Sequence, residues 1–430
     1  MTMARPIDTR SLMDSPPYGG TNGHGPMAPA ADSRPTLSAE MATLKRSVMR
    51  DLLKLAVAPD IISLAGGLPA GEFLPVERFG QCLDDVLRRD GMRALQYSPM
   101  YRPLQEQISA LMAGRGVNCR PEQVFITNGA QQGLTVLSRL FLDPGRPAVI
   151  EGVTFTGIQQ VTAGRGAQVR TVPTHLAAGV DVDALEEAFR QEPRPRLAVL
   201  IPDFHNPLGV SLTAEKRVEV ADLAARYGVP VVEDDPYSFL RFEGEALPPI
   251  KAYDQAGMVF YVGSFSKLLA PATRLGWIVA PSHLVPQVTV LRESVDLETS
   301  TLIQRAVSLF LERGWLQDHL EEFNPANRAR RDVLFAGLRQ HLGGLATWTE
   351  PQGGIFTWVT LVEDADAWEL LPRAIERQVA YVPGAAFAVN GGHRNTLRLN
   401  FSNVRPELIP TAVSRLAQTI REARRTRGSL

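Results

Sequence analysis

At 430 residues the chain is too long for one small core, and two domains of unequal size are the natural expectation. Hydrophobic residues make up 44% and charged residues 21%, an ordinary globular composition, and a formal net charge of −1 argues against a nucleic-acid or membrane partner recruited by bulk charge. The two cysteines, Cys82 and Cys119, sit in no paired motif, which argues against a disulfide framework or a zinc site and fits a reducing, cytoplasmic compartment.

Residues 1–38 are rich in Gly, Pro, Ser and Ala and read as a disordered N-terminal extension. No apolar run there is long enough for a secretory signal, and nothing further along reads as a membrane span. Residues 39–75 read as an N-terminal helix, over about Ala39–Leu55, and an arm joining the small domain. The arm carries a short strand, Ile61–Leu64, that runs into the Gly66-Gly67 turn. Residues 76–305 alternate short β-branched runs with amphipathic helices, the pattern of a large α/β domain with a mostly parallel sheet. Its strand candidates are Val124–Thr127, Ala148–Glu151, Val169–Val172, Leu197–Ile201, Pro230–Glu233, Val259–Gly263 and Leu275–Val279. Several are apolar almost throughout, as strands covered on both faces should be. One connecting helix is legible end to end. Thr213 is its N-cap, Val220, Leu223, Ala224 and Tyr227 form one stripe, and Gly228 sits at the stop. Residues 306–430 change texture: arginine-rich helices lead to strands near Ile355–Leu361, Val379–Val382 and Leu397–Phe401, a smaller α+β domain.

Four strand ends carry polar residues suited to chemistry. Thr127-Asn128-Gly129-Ala130-Gln131 is a strand-to-helix turn whose N–H groups can hold an anion, or simply a tight connection; it is neither a GxGxxG nor a P-loop. Asn206 lies in Asp203-Phe204-His205-Asn206-Pro207-Leu208-Gly209, where its amide can reach a cleft, although N-P-x-G is also a common turn. Glu233-Asp234-Asp235-Pro236-Tyr237 puts acids and a phenol after an apolar strand, where parallel sheets bind ligands. One acid can hold a protonated pyridine nitrogen; a plain turn is the alternative, and a metal site lacks His or Cys partners. Ser264-Phe265-Ser266-Lys267, with Arg274 following, is the strongest signal. Of five lysines only Lys267 directly follows an apolar strand, between hydroxyls and an arginine. Desolvation and a neighbouring cation lower an amine's pKa and make it a nucleophile, and two hydroxyls with a guanidinium suit a phosphate dianion.

Together these segments resemble the fold-type I enzymes that use pyridoxal 5'-phosphate (PLP). The likeness is to the class I/II aminotransferases of the 2-aminoadipate and kynurenine branch, over about Ser47–Leu416. The phrases N-G-A-Q-Q-G-L, E-D-D-P-Y, G-S-F-S-K and L-R-L-N-F-S are jointly specific. The resemblance implies a large domain with a mostly parallel seven-stranded sheet, a smaller α+β domain and a homodimer with shared active sites. It implies that Lys267 carries the cofactor as a Schiff base and shuttles the substrate proton, while Asp234 pairs with the pyridine nitrogen. Tyr237 and Asn206 then bond the ring oxygen, and Phe155 stacks on the ring. Ser264, Ser266, Arg274 and the backbone of Gly129, Ala130 and Gln131 hold the phosphate, with Tyr97 reaching that of the neighbouring subunit. Arg398, with Asn206 and the Gly66-Gly67 turn, clamps the substrate α-carboxylate. Arg50, on the N-terminal helix, can bind a distal carboxylate or lie on a solvated face.

The sequence departs from the family pattern at Phe155, where tyrosine is usual, at His205 and Leu208, and at Ala130, which replaces a frequent serine. The reaction expected is transfer of an amino group from an L-amino acid to a 2-oxo acid such as 2-oxoglutarate. A lyase, cyclase, racemase or oxidase on the same scaffold is the alternative. A PLP-sensing transcription regulator is a third reading. It lacks support, because the residues before the match are too few and too Gly/Pro-rich for a DNA-binding domain.

Overall fold

The computed structural model describes Ser38, Met41, residues 60–362 and residues 365–427. The expected extension, the helix over about Ala39–Leu55 and Arg50 lie outside the described residues, apart from Ser38 and Met41.

Seven strands form the central sheet: β1 (Val124–Thr127), β2 (Pro147–Glu151), β3 (Gln168–Val172), β4 (Leu197–Leu200), β5 (Val231–Asp235), β6 (Val259–Ser264) and β7 (Gly276–Val279). Their order is β1-β7-β6-β5-β4-β2-β3. All neighbours run parallel except that β7 is antiparallel to both β1 and β6. The apolar runs form strands here because both sheet faces are covered. Val124, Ile126, Tyr261 and Trp277 point into one core, and the alternating Phe125, Val232, Phe260 and Ile278 into another. Each large side chain fully buried this way contributes about 1.5–3 kcal/mol.

Helix α1 (Gly129–Phe141) follows β1, and α2 (Ala214–Tyr227) lies between β4 and β5. The Thr213 hydroxyl accepts the N–H of Lys216 at 3.4 Å, and Gly228 ends α2 in the left-handed region at φ 63°, ψ 32°. The fold corrects one strand boundary. Asp234 and Asp235 were expected beyond a strand ending at Glu233, yet all three acids, Glu233, Asp234 and Asp235, are the last residues of β5, each buried. Polar type marks a strand end in sequence only when the side chains find no partners inside, and two of these three do.

The smaller sheet has β8 (Ala346–Trp348), β9 (Phe356–Leu361), β10 (Val382–Pro383) and β11 (Thr396–Asn400), in the order β8-β9-β11-β10 and antiparallel throughout. Helices α3 (Trp315–Leu342) and α4 (Ile409–Arg427) cover it, sharing Leu334, Leu338, Val413 and Leu416 with Val359, Leu397 and Leu399 in one core. Ile62–Ser63 pairs in parallel with Val379–Ala380. A helix at Thr301–Glu312 crosses position 305. Its Ala306, Val307 and Phe310 share the core of Trp277 and Val124, so its packing lies with the large sheet. Among the described residues no helix is long and apolar enough to cross a membrane.

Candidate active site

The carboxyl ends of β4, β5 and β6 meet β11 and the 65–68 turn, and the chemistry collects there. On β5, side chains alternate between faces. Glu233 accepts the N–H groups of Ile250 and Lys251 at 2.9 and 3.0 Å. Asp235 is bonded by Arg115 at 2.6 Å, by the Tyr261 hydroxyl at 2.9 Å and by the Ser238 N–H at 2.9 Å. Burial would raise the Asp235 carboxyl, but Arg115 and Ser238 offset that and hold it below its ordinary value. Asp234, between them, is 3% exposed, and its Oδ1 has no hydrogen-bond partner among the described residues. Burial, then the Asp235 charge, pushes its pKa up to about 7. Desolvation and the same neighbour push Glu233 to about 7 as well, despite its two N–H bonds.

Lys267 lies in a single helical turn, Phe265–Leu268, directly after β6. The Ser264 side chain caps that turn by accepting the Ser266 N–H at 3.1 Å. The amine donates to the carbonyl of Gly67. Desolvation first, then the charges of Arg398 and Arg274, bring its pKa down to about 8. By contrast, Lys251 pairs with Asp254 at 2.8 Å and Lys216 bonds the Val180 carbonyl at 2.8 Å.

Arg274 adopts φ 50° and reaches the Ser266 hydroxyl and the Asn128 carbonyl, both at 3.4 Å. Its guanidinium lies against the first residue of α1. Gly129 has φ 72°, and a Cβ there would come 2.6 Å from Arg274 Nη2, so only glycine fits. The first N–H groups of α1 have no intrahelical acceptors and face this guanidinium, which makes an anion cradle. The half-buried Gln131 and Phe155 both pack on Gly157, and Gln131 bonds its carbonyl at 3.2 Å.

Asn206 links residues of the two sheets. Its Nδ2 donates to the Tyr237 hydroxyl at 3.4 Å, and its Oδ1 accepts Nη1 of Arg398 at 2.8 Å. Arg398 Nη2 donates to the Ala65 carbonyl at 2.8 Å. This guanidinium is 1% exposed and meets no carboxylate among the described residues, and its Nε has no partner. Desolvation lowers its pKa to about 9, against the opposing influence of Tyr237. Burial pushes the Tyr237 phenol up.

The structure therefore brings together Lys267, Asp234, Tyr237, Asn206, Ser264, Ser266, Arg274, Gly129, Ala130, Gln131, Phe155, Gly66, Gly67 and Arg398. Tyr97 stands apart, 85% exposed. The roles of several residues escaped the sequence reading, although the motifs quoted there contain them. Asn400, two along from Arg398, bonds the carbonyls of Gly66 and Leu68 at 2.6 and 3.2 Å and so holds the glycine turn. Asp203 is gripped by both prongs of Arg217 at 2.8 and 2.9 Å, beside Arg115 and Arg241. Phe204, an aromatic residue at φ 46°, sits in a region that costs such residues about 1–3 kcal/mol. His205 is buried with Nε2 3.1 Å from the Glu151 carboxylate. An aromatic at a positive φ has no sequence signature. An asparagine alternating with an arginine on one strand face was the available signal for Asn400.

These groups fit PLP on the chemistry of the donors alone. A buried, unpartnered carboxylate oxygen suits a protonated pyridine nitrogen, an amine of lowered pKa suits an aldehyde, and a glycine turn with an arginine and two hydroxyls suits a phosphate. Comparison with known proteins agrees. The family model for aminotransferase class I and II matches residues 59–416. An aromatic-amino-acid aminotransferase of Thermococcus litoralis is 37% identical over 402 residues, covering 92% of this chain and 96% of its own. A 2-aminoadipate transaminase of Thermus thermophilus is 36% identical, covering 88% and 94%. The crystal structure of a Pyrococcus horikoshii kynurenine aminotransferase in complex with PMP, KYN and KYA superposes with a TM-score of 0.85 at 35% identity, covering 90% of this chain and 97% of that one.

Proposed function

The chain belongs to the class I and II aminotransferases, PLP-dependent enzymes of fold type I, and on that premise we propose which residues carry the reaction and what it acts on. When bound, PLP supplies a protonated pyridine ring that withdraws the electron pair left at the substrate α-carbon. Asp234 Oδ1, a buried oxygen with no partner among the described residues, would accept the N–H of the protonated ring nitrogen, and that cation would favour the ionised carboxylate that burial otherwise disfavours. Tyr237 and Asn206 would donate to the ring oxygen, and Phe155 would stack on the ring. Arg274, Ser264, Ser266 and the N–H groups of Gly129, Ala130 and Gln131 hold the phosphate dianion.

Lys267 would hold the cofactor covalently, and its Nζ as a free amine would take the proton from the substrate α-carbon. At a pKa of about 8 an appreciable fraction of the amine is neutral near pH 7 and able to act as base. Arg398 presents Nη1 and Nη2 to the α-carboxylate, displacing Asn206 Oδ1 and the Ala65 carbonyl, with the Gly66-Gly67 turn as the wall beside it. Arg50, outside the described residues, is the candidate for a distal substrate carboxylate, with a solvated helix face as the alternative. A second copy completes the site with its Tyr97; Met92, Leu95 and Tyr97 expose an apolar strip on one short segment, which suits burial in a homodimer.

The observation that carries this reading is the trio of Lys267, Asp234 and Arg398. Each is buried or desolvated, the Arg398 charge reaches Lys267, the Tyr237 phenol feels both Arg398 and Asp234, and none of the three pairs with an opposite charge among the described residues. For substrates we favour an L-amino acid with an aromatic or long acidic side chain as donor and 2-oxoglutarate as acceptor, in keeping with the relatives named above. The compartment we favour is the cytoplasm, where the thiols of Cys82 and Cys119 stay free.

The test is a half-reaction. Holoenzyme mixed with single L-amino acids, without acceptor, should release one equivalent of 2-oxo acid as the absorbance of the lysine-bound cofactor converts to that of the amine form. 2-Oxoglutarate should reverse the change. Continuous product formation without acceptor would contradict the donor–acceptor scheme.

A further inference from the structure

Arg398 has the least usual surroundings of any charge described at the site. Its guanidinium carbon lies 4.0 Å from the centroid of the Phe356 ring and 4.8 Å from that of Phe387. Phe356 pairs across the sheet with Asn400, and Trp358 with Arg398, so all four share one face of the small sheet. The Phe356 ring meets Tyr237 edge-on at 5.8 Å, and its Cζ would be 3.6 Å from a Cβ at Gly67. Phe387, on the turn Gly384–Phe387, is backed edge-on by Trp358 at 6.3 Å. One ring thus touches the guanidinium, the cofactor-side phenol and the glycine turn.

A desolvated cation needs something negative nearby. A carboxylate would neutralise Arg398 fully, and it would also occupy both prongs. The face of a phenyl ring offers its quadrupole, attracts a guanidinium, and leaves the N–H edge free. We propose that Phe356, with Phe387, is a positioning residue for Arg398: the rings hold the guanidinium charged, flat and free of any internal carboxylate, and so set the affinity for the substrate carboxylate. The proposal rests on the reading of Arg398 as the carboxylate clamp. It assigns Phe356 no contact with reacting atoms. It also accounts for two aromatic residues at positions where any large apolar side chain would fill the core, since Phe356 is 1% and Phe387 0% exposed.

The experiment is calorimetric titration of the holoenzyme with 4-methylpentanoate, a carboxylate with no amine and hence no chemistry. Phe356→Leu should weaken binding about tenfold, or about 1.4 kcal/mol, and Phe387→Leu less. Phe356→Tyr, which keeps the ring, should stay within about twofold of wild type, the scale of a retained cation–π contact. In turnover, KM for donor and acceptor should rise together, because both carry the α-carboxylate, while kcat moves little. Phe323→Leu is the control. It removes a ring of the same apolar cluster that makes no contact with Arg398, and binding should not change. Equal weakening by Phe323→Leu and Phe356→Leu, or unchanged binding in Phe356→Leu, overturns the proposal. An Arg398→Gln arm separates the two readings. If that variant binds the carboxylate like wild type, the clamp assignment itself fails; if it loses binding while Phe356→Leu does not, only the role of the rings fails. Melting curves of each variant confirm that a folded protein was titrated, and Phe387→Leu carries the test should Phe356→Leu not fold.

Discussion

Arg217 and Arg398 are both buried guanidinium groups, and they are treated in opposite ways. Arg217 closes on Asp203 with two bonds of 2.8 and 2.9 Å and spends its remaining N–H groups on the carbonyls of Leu212, Pro202 and Pro248. Arg398 has one amide oxygen, one carbonyl and two phenyl rings, and no carboxylate among the described residues. The same division runs along β5, where Glu233 and Asp235 are bonded and Asp234 Oδ1 is not. Charges satisfied inside the chain hold the fold. Charges left unsatisfied at burial cost stability and are answered by a ligand.

This division predicts that substitutions in the two sets fail differently. The largest effect is expected at Lys267: Lys267→Ala should lower turnover by about 10⁴-fold or more, the upper range for a positioned proton carrier, without lowering the melting temperature. Steady-state rates and a melting curve on one preparation check it. Next come the paired arginines. Arg217→Leu removes both short bonds to Asp203, leaving it only the longer contacts to Arg115 and Arg241 at 3.7 and 3.5 Å, and should cost about 3 kcal/mol of stability by denaturant titration. Arg398→Leu should lower kcat/KM by about 2–5 kcal/mol of binding, with KM for donor and acceptor both raised.

A pH effect of a few kcal/mol follows from Asp234. Its folded pKa of about 7 stands above its ordinary 3.8. A carboxyl raised in this way keeps its contribution below the unfolded value, and the folded protein loses stability as pH rises from about 4 through 7. Cofactor-free Asp234→Asn should therefore be more stable than wild type above pH 7, with the gap closing toward pH 4. Lys267 works the other way: with a folded pKa of about 8 against 10.5, its contribution rises with pH between those values. The smallest effect is at Asn400, where Asn400→Ala frees the carbonyls of Gly66 and Leu68 and should cost about 1–3 kcal/mol, read as a raised KM.

Much of the large domain was legible because its strands are apolar on both faces, and a buried strand followed by Lys267 or by the 127–131 turn is a local pattern. The direction of β7 was not, since burial has no direction; only pairing with β1 and β6 reveals it. Nor did the local pattern distinguish Arg398 from an exposed arginine of an alternating strand; only the family resemblance singled it out. Its Asn206 and Ala65 partners lie 192 and 333 positions away. The rings of Phe356 and Phe387 read as core residues for the same reason, and the compensation of Asp203 by Arg217, Arg115 and Arg241 is equally non-local.

The measurement closest to the central claim is the thermal stability of the cofactor-free protein in two variants beside wild type, at one pH near 7.5. Arg398→Leu is predicted to melt at or above wild type, because it removes a buried charge that two neutral acceptors and two ring faces, but no carboxylate among the described residues, answer. Arg217→Leu is predicted to melt several degrees below it. Equal losses in both would show that Arg398 belongs to the scaffold, and would contradict the division between charges that hold the fold and charges that await a ligand.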